Sequence, residues 1–108
     1  MQDIFPNEVG QWQKRGARII DVREPEEYAG GHLPGAVNIP LADLTLIPEL
    51  TASPLVMVCA SGGRSARAAA LLEGAGHPEF ANLLGGTFGW MQENRPVEFR
   101  EVDADDRH

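Results

Sequence analysis

The sequence predicts an α/β fold, in which strands and helices alternate along the chain. Short apolar runs are followed by amphipathic stretches of helical length, and this alternation is typical of that fold class. The run Leu55–Val58 is apolar at every position, as expected of a strand that is covered on both faces. It is followed by two glycines and an alanine-rich stretch, which together predict one strand, one turn and one helix.

Three strands are predicted in the first half of the chain: near residues 4–5, over 17–22 and over 37–39. The intervening segments predict helices from Pro6 to about Arg15, over 25–28 and over 41–50. Gly30 and Gly31 are expected to end the second helix, and Pro48 to break the third.

In the second half, strands are predicted over 55–58 and 80–84, and helices over 66–75 and 87–93. Trp12 and Trp90 are expected to fill core space, since large aromatic rings bury much apolar area. We expect a domain over residues 1–97. The acidic segment 98–108 has little to bury, and we expect it to fray.

Composition narrows the classes of function. A chain of 108 residues is long enough for one domain with its own core. Its single cysteine excludes an internal disulfide and fits a reducing compartment. It has no apolar stretch of the ~20 residues that a membrane span requires, and Met1-Gln2-Asp3 lacks the basic start of a secretory signal. We therefore expect a cytoplasmic protein without a membrane partner. The net charge of −7 argues against nucleic acid.

Cys59 lies where the buried strand ends and the glycine turn begins. Gly62 and Gly63 permit backbone angles that let successive N–H groups converge on one point. The helix that follows adds its positive end, and Arg64 adds a fixed charge. These features predict a reactive thiolate in an anion-binding loop. The alternative is a cysteine that only fills the core, as many buried cysteines do.

Three segments of the chain carry a resemblance to a known family. The loop Cys-Ala-Ser-Gly-Gly-Arg-Ser at 59–65 resembles the active-site loop of the rhodaneses, a family of single-domain sulfurtransferases, which often reads Cys-x-x-Gly-x-Arg-Ser. Residues 21–40 match the first rhodanese signature, with Asp-Val-Arg-Glu, Gly-His-Leu-Pro-Gly-Ala and Asn-Ile-Pro in order. Residues 84–97 resemble its last segment. The resemblance implies a three-layer α/β/α fold with a five-stranded parallel sheet in the order 1-5-4-2-3.

The resemblance also implies a reaction. The Cys59 thiolate would attack the outer sulfur of a donor such as thiosulfate, and the resulting persulfide would pass its sulfur to cyanide or a thiol. The expected partners are small sulfur-containing anions and a low-molecular-weight or protein thiol. The amides of the loop would hold the anion; its residues are Ala60, Ser61, Gly62, Gly63, Arg64 and Ser65.

Several side chains are given supporting roles. Arg64 is assigned to the charged end of the donor; the alternative is a pairing with a nearby carboxylate that holds the loop. Ser65 is expected to cap the helix, with donation to the sulfur as the alternative. Asp21, Arg23 and Glu27 are expected to form a polar network that fixes the loop after the second strand.

Histidine and glycine are given structural roles. In the rhodanese family the histidine at this position belongs to a turn, so His32 is expected to be structural. Three histidines and one cysteine present no visible metal-ligand set, so neither a metal nor a cofactor is expected. Gly85 and Gly86 are expected to permit a turn near the active loop.

Two alternative functions remain open. Cell-cycle dual-specificity phosphatases and some arsenate reductases share the rhodanese fold, but their loops place one residue more between cysteine and arginine. Here four residues intervene, Ala60 to Gly63, and the shorter ring suits a sulfur atom better than a phosphate. The domain could also be a persulfide carrier that serves a protein partner. In either sulfur-transfer role the acceptor must come from outside, because the chain has no second cysteine.

Overall fold

Five parallel strands form one sheet in the order β1-β5-β4-β2-β3, which confirms the predicted order. The computed structural model describes residues 2–46, 54–60, 63–74 and 79–99. The strands are β1 Gln2–Ile4, β2 Arg18–Asp21, β3 Val37–Asn38, β4 Leu55–Val58 and β5 Phe80–Leu83.

Helical segments connect the strands. A short 3₁₀ helix, Pro6–Glu8, leads into α1, Val9–Lys14. The other elements are α2 Pro25–Ala29, a second 3₁₀ helix Leu41–Leu46, α3 Gly63–Gly74 and α4 Gly86–Gln92. Among the described residues, no helix is both long enough and apolar enough to cross a membrane.

The sheet separates two apolar cores. Trp12 from α1 and Trp90 from α4 pack with Val56 and Val58 on one face of the sheet. Leu44 and Ala68 pack on the opposite face, with Leu55, Met57 and Cys59. Alternate residues of β4 therefore enter different cores, as the pleat of a strand requires. The burial of both tryptophans confirms their predicted core position.

Strand register brings the carboxyl ends of the central strands to one level. Asp21, the last residue of β2, lies beside Val58, the last residue of β4. It also lies beside Asn38 at the end of β3. The loops that follow these strands consequently share one edge of the sheet, where α/β proteins bind their ligands.

Two boundaries differ from the prediction. Helix α3 begins at Gly63, three residues before the predicted start, so Arg64 and Ser65 lie in its first turn. The predicted helix over 41–50 is a 3₁₀ helix as far as Leu46; its remainder, with Pro48, lies outside the described residues.

Glu98 was predicted to begin the frayed segment, yet it is attached to the domain. It forms an antiparallel bridge with His32, with N–H···O distances of 2.8 Å in both directions. Its side chain also accepts a hydrogen bond from the Gly35 amide at 3.0 Å. Residues 100–108, which hold the rest of the acidic segment, lie outside the described residues.

Candidate active site

Cys59 directly follows β4, the middle strand of the sheet. Its side chain is buried, with 1% of the residue exposed, and belongs to the apolar cluster on the α3 side. The polypeptide next to it is held from α4: the Thr87 amide donates to the Cys59 carbonyl at 2.8 Å, and the Phe88 amide donates to the Ala60 carbonyl at 3.0 Å. Two backbone hydrogen bonds thus fix the peptide planes on the C-terminal side of the thiol.

Gly86 is what allows α4 to approach the loop so closely. It has φ +58°, and a Cβ built on it would overlap the Cys59 carbonyl oxygen and lie 2.7 Å from the Ala60 carbonyl carbon. Gly85, at φ +77°, caps the same helix in the left-handed region. Both conformations favour glycine. The predicted Gly85-Gly86 turn near the active loop is confirmed.

Arg64 forms a two-pronged ion pair with Glu27 of α2. Its Nη1 donates to Oε1 at 2.7 Å, and its Nη2 donates to Oε2 at 2.8 Å. The Glu24 amide also donates to Glu27 Oε1, at 3.1 Å, so the start of α2 positions this carboxylate. This is the loop-holding pair given above as the alternative for Arg64; a contact between Arg64 and the donor stays a prediction.

The ion pair shifts the protonation equilibria of both partners. The hydrogen bonds from Arg64 lower the pKa of Glu27 from 4.5 to about 2, against the opposing effect of burial. The pKa of Arg64 is raised, mainly by its hydrogen bond to Glu27, against the opposing effect of burial, with a further contribution from the charge of Glu27. The guanidinium and the carboxylate are therefore both charged at neutral pH.

Asp21 and Arg23 form a second ion pair, which is buried. Arg23 Nη2 and Nε donate to Asp21 Oδ2 at 2.8 and 3.1 Å, and Nη2 also donates to the Gly31 carbonyl at 2.8 Å. The Asn38 side-chain amide donates to the carbonyls of both Asp21 and Arg23. The expected polar network after β2 therefore exists for Asp21 and Arg23, whereas Glu27 is directed to Arg64 on α3.

Ser65 lies inside α3 instead of at its N-cap, so the expected N-cap position was wrong. The helix begins two residues earlier, and Ser65 is fully buried in its first turn. Its hydroxyl donates to Asn82 Oδ1 on β5, and the Asn82 amide in turn donates to Asp3 Oδ1 at 3.2 Å. Two further loop residues that were predicted to bind the anion, Ser61 and Gly62, lie outside the described residues.

Two polar residues near the site were missed from the sequence. Asn82 interrupts an apolar strand, and such an interruption signals a buried polar partner. Thr87 is fully buried, and its hydroxyl oxygen has no hydrogen-bond partner within the described residues. Thr87 carries no such signal, because threonine is an ordinary residue near the start of a helix.

His32 occupies a structural position. Its ring stacks on Tyr28 with 3.7 Å between centroids and 7° between planes, and Nδ1 lies 2.7 Å from the Tyr28 carbonyl oxygen. No group of three or more side chains able to hold a metal ion occurs in the described part of the chain.

Comparison with known proteins places the chain in a family. The profile of the Rhodanese-like domain matches residues 5–93. The chain belongs to the rhodanese-like family. The resemblance stated from the sequence is thereby confirmed.

Relatives of this rhodanese-like chain include a named enzyme. It is 37% identical over 92 residues to the thiosulfate sulfurtransferase GlpE of Pseudomonas aeruginosa PAO1, a match that covers 82% of the chain and 83% of GlpE. It is 45% identical over 78 residues to YqhL of Bacillus subtilis, which is named as uncharacterized; the match covers 70% of the chain. The match extends over 62% of YqhL, less than two thirds of that protein.

Solved structures agree with the sequence relatives. A rhodanese-related protein from Thermoplasma volcanium superimposes with a TM-score of 0.81 at 27% identity, covering 93% of this chain and all of that one. The three-layer rhodanese-like architecture predicted from the sequence is therefore confirmed.

Proposed function

We propose that this rhodanese-like protein is a sulfurtransferase that carries a sulfane sulfur as a persulfide on Cys59. The observation that carries the proposal is the position of its cysteine, at the carboxyl end of the central strand. At this position the amides of α4 bind the carbonyls of Cys59 and Ala60, and α3 begins four residues further along the chain, at Gly63. The relationship to GlpE supports thiosulfate as a donor.

The proposed reaction consists of two displacements at sulfur. In the first, the Cys59 thiolate forms a bond to the outer sulfur of thiosulfate, the S–S bond of the donor breaks, and sulfite leaves with the electron pair. In the second, cyanide or a thiolate takes the terminal sulfur, giving thiocyanate or a new persulfide, and the Cys59 thiolate is regenerated. Neither step needs an external oxidant or a proton donor.

The elements around Cys59 would favour both anionic forms, the thiolate and the persulfide. The positive end of α3, a helix of 12 residues, begins at Gly63, shortly after the thiol. The backbone hydrogen bonds from α4 fix the peptide groups next to the thiol before a donor arrives. Because the dipoles of these peptide groups are already oriented, they need no reorganisation during the reaction. The thiol must remain reduced, which suits a reducing compartment such as the cytoplasm.

A phosphatase is the less favoured enzyme class. The loop has four residues between Cys59 and Arg64, one fewer than the phosphatases that share the fold. The two terminal nitrogens of Arg64 are bonded to Glu27, whereas a phosphatase arginine must offer them to a phosphate dianion.

The intact mass of the protein after incubation with thiosulfate tests the proposal. We expect a gain of one sulfur atom, which is lost when cyanide or a thiol is added. Cys59→Ser, a nearly isosteric change, should gain none while unfolding at a similar urea concentration. A protein that never gains sulfur, or a Cys59→Ser variant that still does, would contradict the proposal.

A further inference from the structure

We propose that Glu27 is a positioning residue that sets donor selectivity. By pairing with Arg64 it turns the site away from dianionic donors such as thiosulfate and towards donors that carry a single negative charge, such as thiosulfonates and persulfides. This inference rests on the proposed function and names the class of donor that the same site prefers.

The first observation is the geometry of the pair. Arg64 lies five residues after Cys59 and is the arginine of the active-site loop. Both of its terminal nitrogens donate to Glu27, at 2.7 and 2.8 Å. An incoming sulfonate group would share the guanidinium with a carboxylate that is already in place. The Arg64–Glu27 pair is neutral overall, and its carboxylate would repel the sulfonate.

The second observation is that Glu27 is held independently of Arg64. It is the third residue of α2, and its Oε1 accepts the Glu24 amide at 3.1 Å in a capping box. Pro25 fixes the start of that helix. The carboxylate therefore stays near Arg64 instead of swinging away when a donor enters.

The third observation concerns the remaining charge. Arg23, the other arginine of the signatures within the described residues, is matched by the buried Asp21. The whole chain carries a formal charge of −7. The positive charges of these two arginines are therefore balanced by carboxylates and do not attract a dianion. The repulsion from Glu27 doubles when the charge of the donor doubles.

Comparing two donors that differ by one negative charge separates the electrostatic effect of Glu27 from the reactivity of the S–S bond. Thiosulfate is a dianion and methanethiosulfonate a monoanion, and both present an outer sulfur bonded to an oxidised sulfur. Attack by the Cys59 thiolate breaks that S–S bond in each, and sulfite or methanesulfinate leaves with the electron pair. The wild-type protein should therefore show the higher kcat/KM with methanethiosulfonate, at fixed ionic strength and with cyanide as acceptor.

Glu27→Gln removes the charge while keeping the shape and a hydrogen-bond acceptor for Arg64. We expect kcat/KM for thiosulfate to rise roughly three- to tenfold, mainly through KM, and that for methanethiosulfonate to rise about half as much on a logarithmic scale. Glu26→Gln is the matched control. It changes the net charge equally on the same helix, and Glu26 has no ion pair among the described residues. It should leave the ratio of the two donors unchanged.

The outcomes distinguish this inference from the proposed function. If the donor ratio is the same in Glu27→Gln as in the wild type, or shifts against thiosulfate, the selectivity role of Glu27 is wrong. If both donors change equally through kcat, Glu27 only supports the loop and the inference is again wrong. If neither donor adds sulfur to the wild-type protein, the proposed function fails, and the inference fails with it.

Discussion

At the scale of single residues, the ion pair between Arg64 and Glu27 is the most informative contact of the site. Glu27 was expected to join Asp21 and Arg23 in one polar network because all three belong to the first rhodanese signature. In the structure the Glu27 side chain instead pairs with Arg64 of α3, because Glu27 lies in α2 rather than in the segment that directly follows β2. A sequence can identify charged residues near a site, but the partner of each charge depends on how the helices pack.

The lowered pKa of Glu27 predicts a pH-dependent contribution to stability. Its pKa falls from 4.5 to about 2 on folding, so the pair stabilises the protein fully above pH 4.5 and loses that effect as the pH falls towards 2. Both side chains are more than a third exposed, and we expect a contribution of about 1 kcal/mol or less. Urea unfolding of wild type and Glu27→Gln should differ at pH 6 and converge near pH 2. A difference that persists at pH 2 would contradict this origin.

At the scale of elements, the close approach of α4 to the active loop depends on Gly86. Gly86→Ala would place a methyl group against the Cys59 and Ala60 carbonyls in a left-handed conformation. We expect a loss of roughly 2–4 kcal/mol in the free energy of unfolding. The rate of the proposed sulfur transfer should fall by more than this loss of stability explains, because the loop must shift.

Gly89→Ala is the matched control for that change. Gly89 is in the same helix, and an added Cβ would meet only the Leu84 carbonyl oxygen at 3.8 Å, an ordinary contact. It should be neutral or stabilise the helix by up to about 1 kcal/mol. Urea unfolding and the rate of thiocyanate formation measure both variants; equal effects of the two changes would show that the close approach is unimportant.

The elements themselves were largely predictable. The bounds of β4 were predicted from its uninterrupted run of apolar residues, and the two segments that contain Trp12 and Trp90 are helical as predicted. The start of α3 was missed, because glycine is a poor helix former and nothing in the letters marks Gly63 as helical. That start is supported by tertiary contacts, including the bond of Ser65 to Asn82 on β5.

At the scale of the whole molecule, the buried pair Asp21–Arg23 contributes to global stability. Both side chains are nearly inaccessible, and Arg23 also holds the Gly31 carbonyl. Asp21→Asn would leave a buried guanidinium without its counter-charge, at a cost of about 3–5 kcal/mol. That is a large share of the 5–15 kcal/mol typical of a domain.

Urea unfolding followed by tryptophan fluorescence measures this loss. Asp43→Asn is a suitable control, because Asp43 is exposed and makes no ion pair within the described residues. It should change stability by less than about 0.5 kcal/mol. A similar small effect for Asp21→Asn would show that the buried pair can be replaced by neutral hydrogen bonds.

The layered fold and the strand order were implied by the resemblance to the rhodaneses, whereas the local surroundings of the thiol could not be predicted. The sequence predicted an anion-binding loop and also allowed a cysteine in the core. In the structure Cys59 is buried in an apolar cluster, while its carbonyl is bound from α4. Such a mixed environment is built from segments that are far apart in the chain. Local sequence patterns do not reveal which distant segments will contact each other.

The bond from the Thr87 amide to the Cys59 carbonyl has a consequence for biosynthesis. The ribosome makes Cys59 well before it makes α4, whose amide binds the Cys59 carbonyl. In the same way, β1 must wait for β5, its partner in the sheet. A nascent chain that stops short of residue 86 would bear a thiol with no such support. The backbone around the thiol should therefore be fully held only after α4 has been synthesised and has packed against the loop.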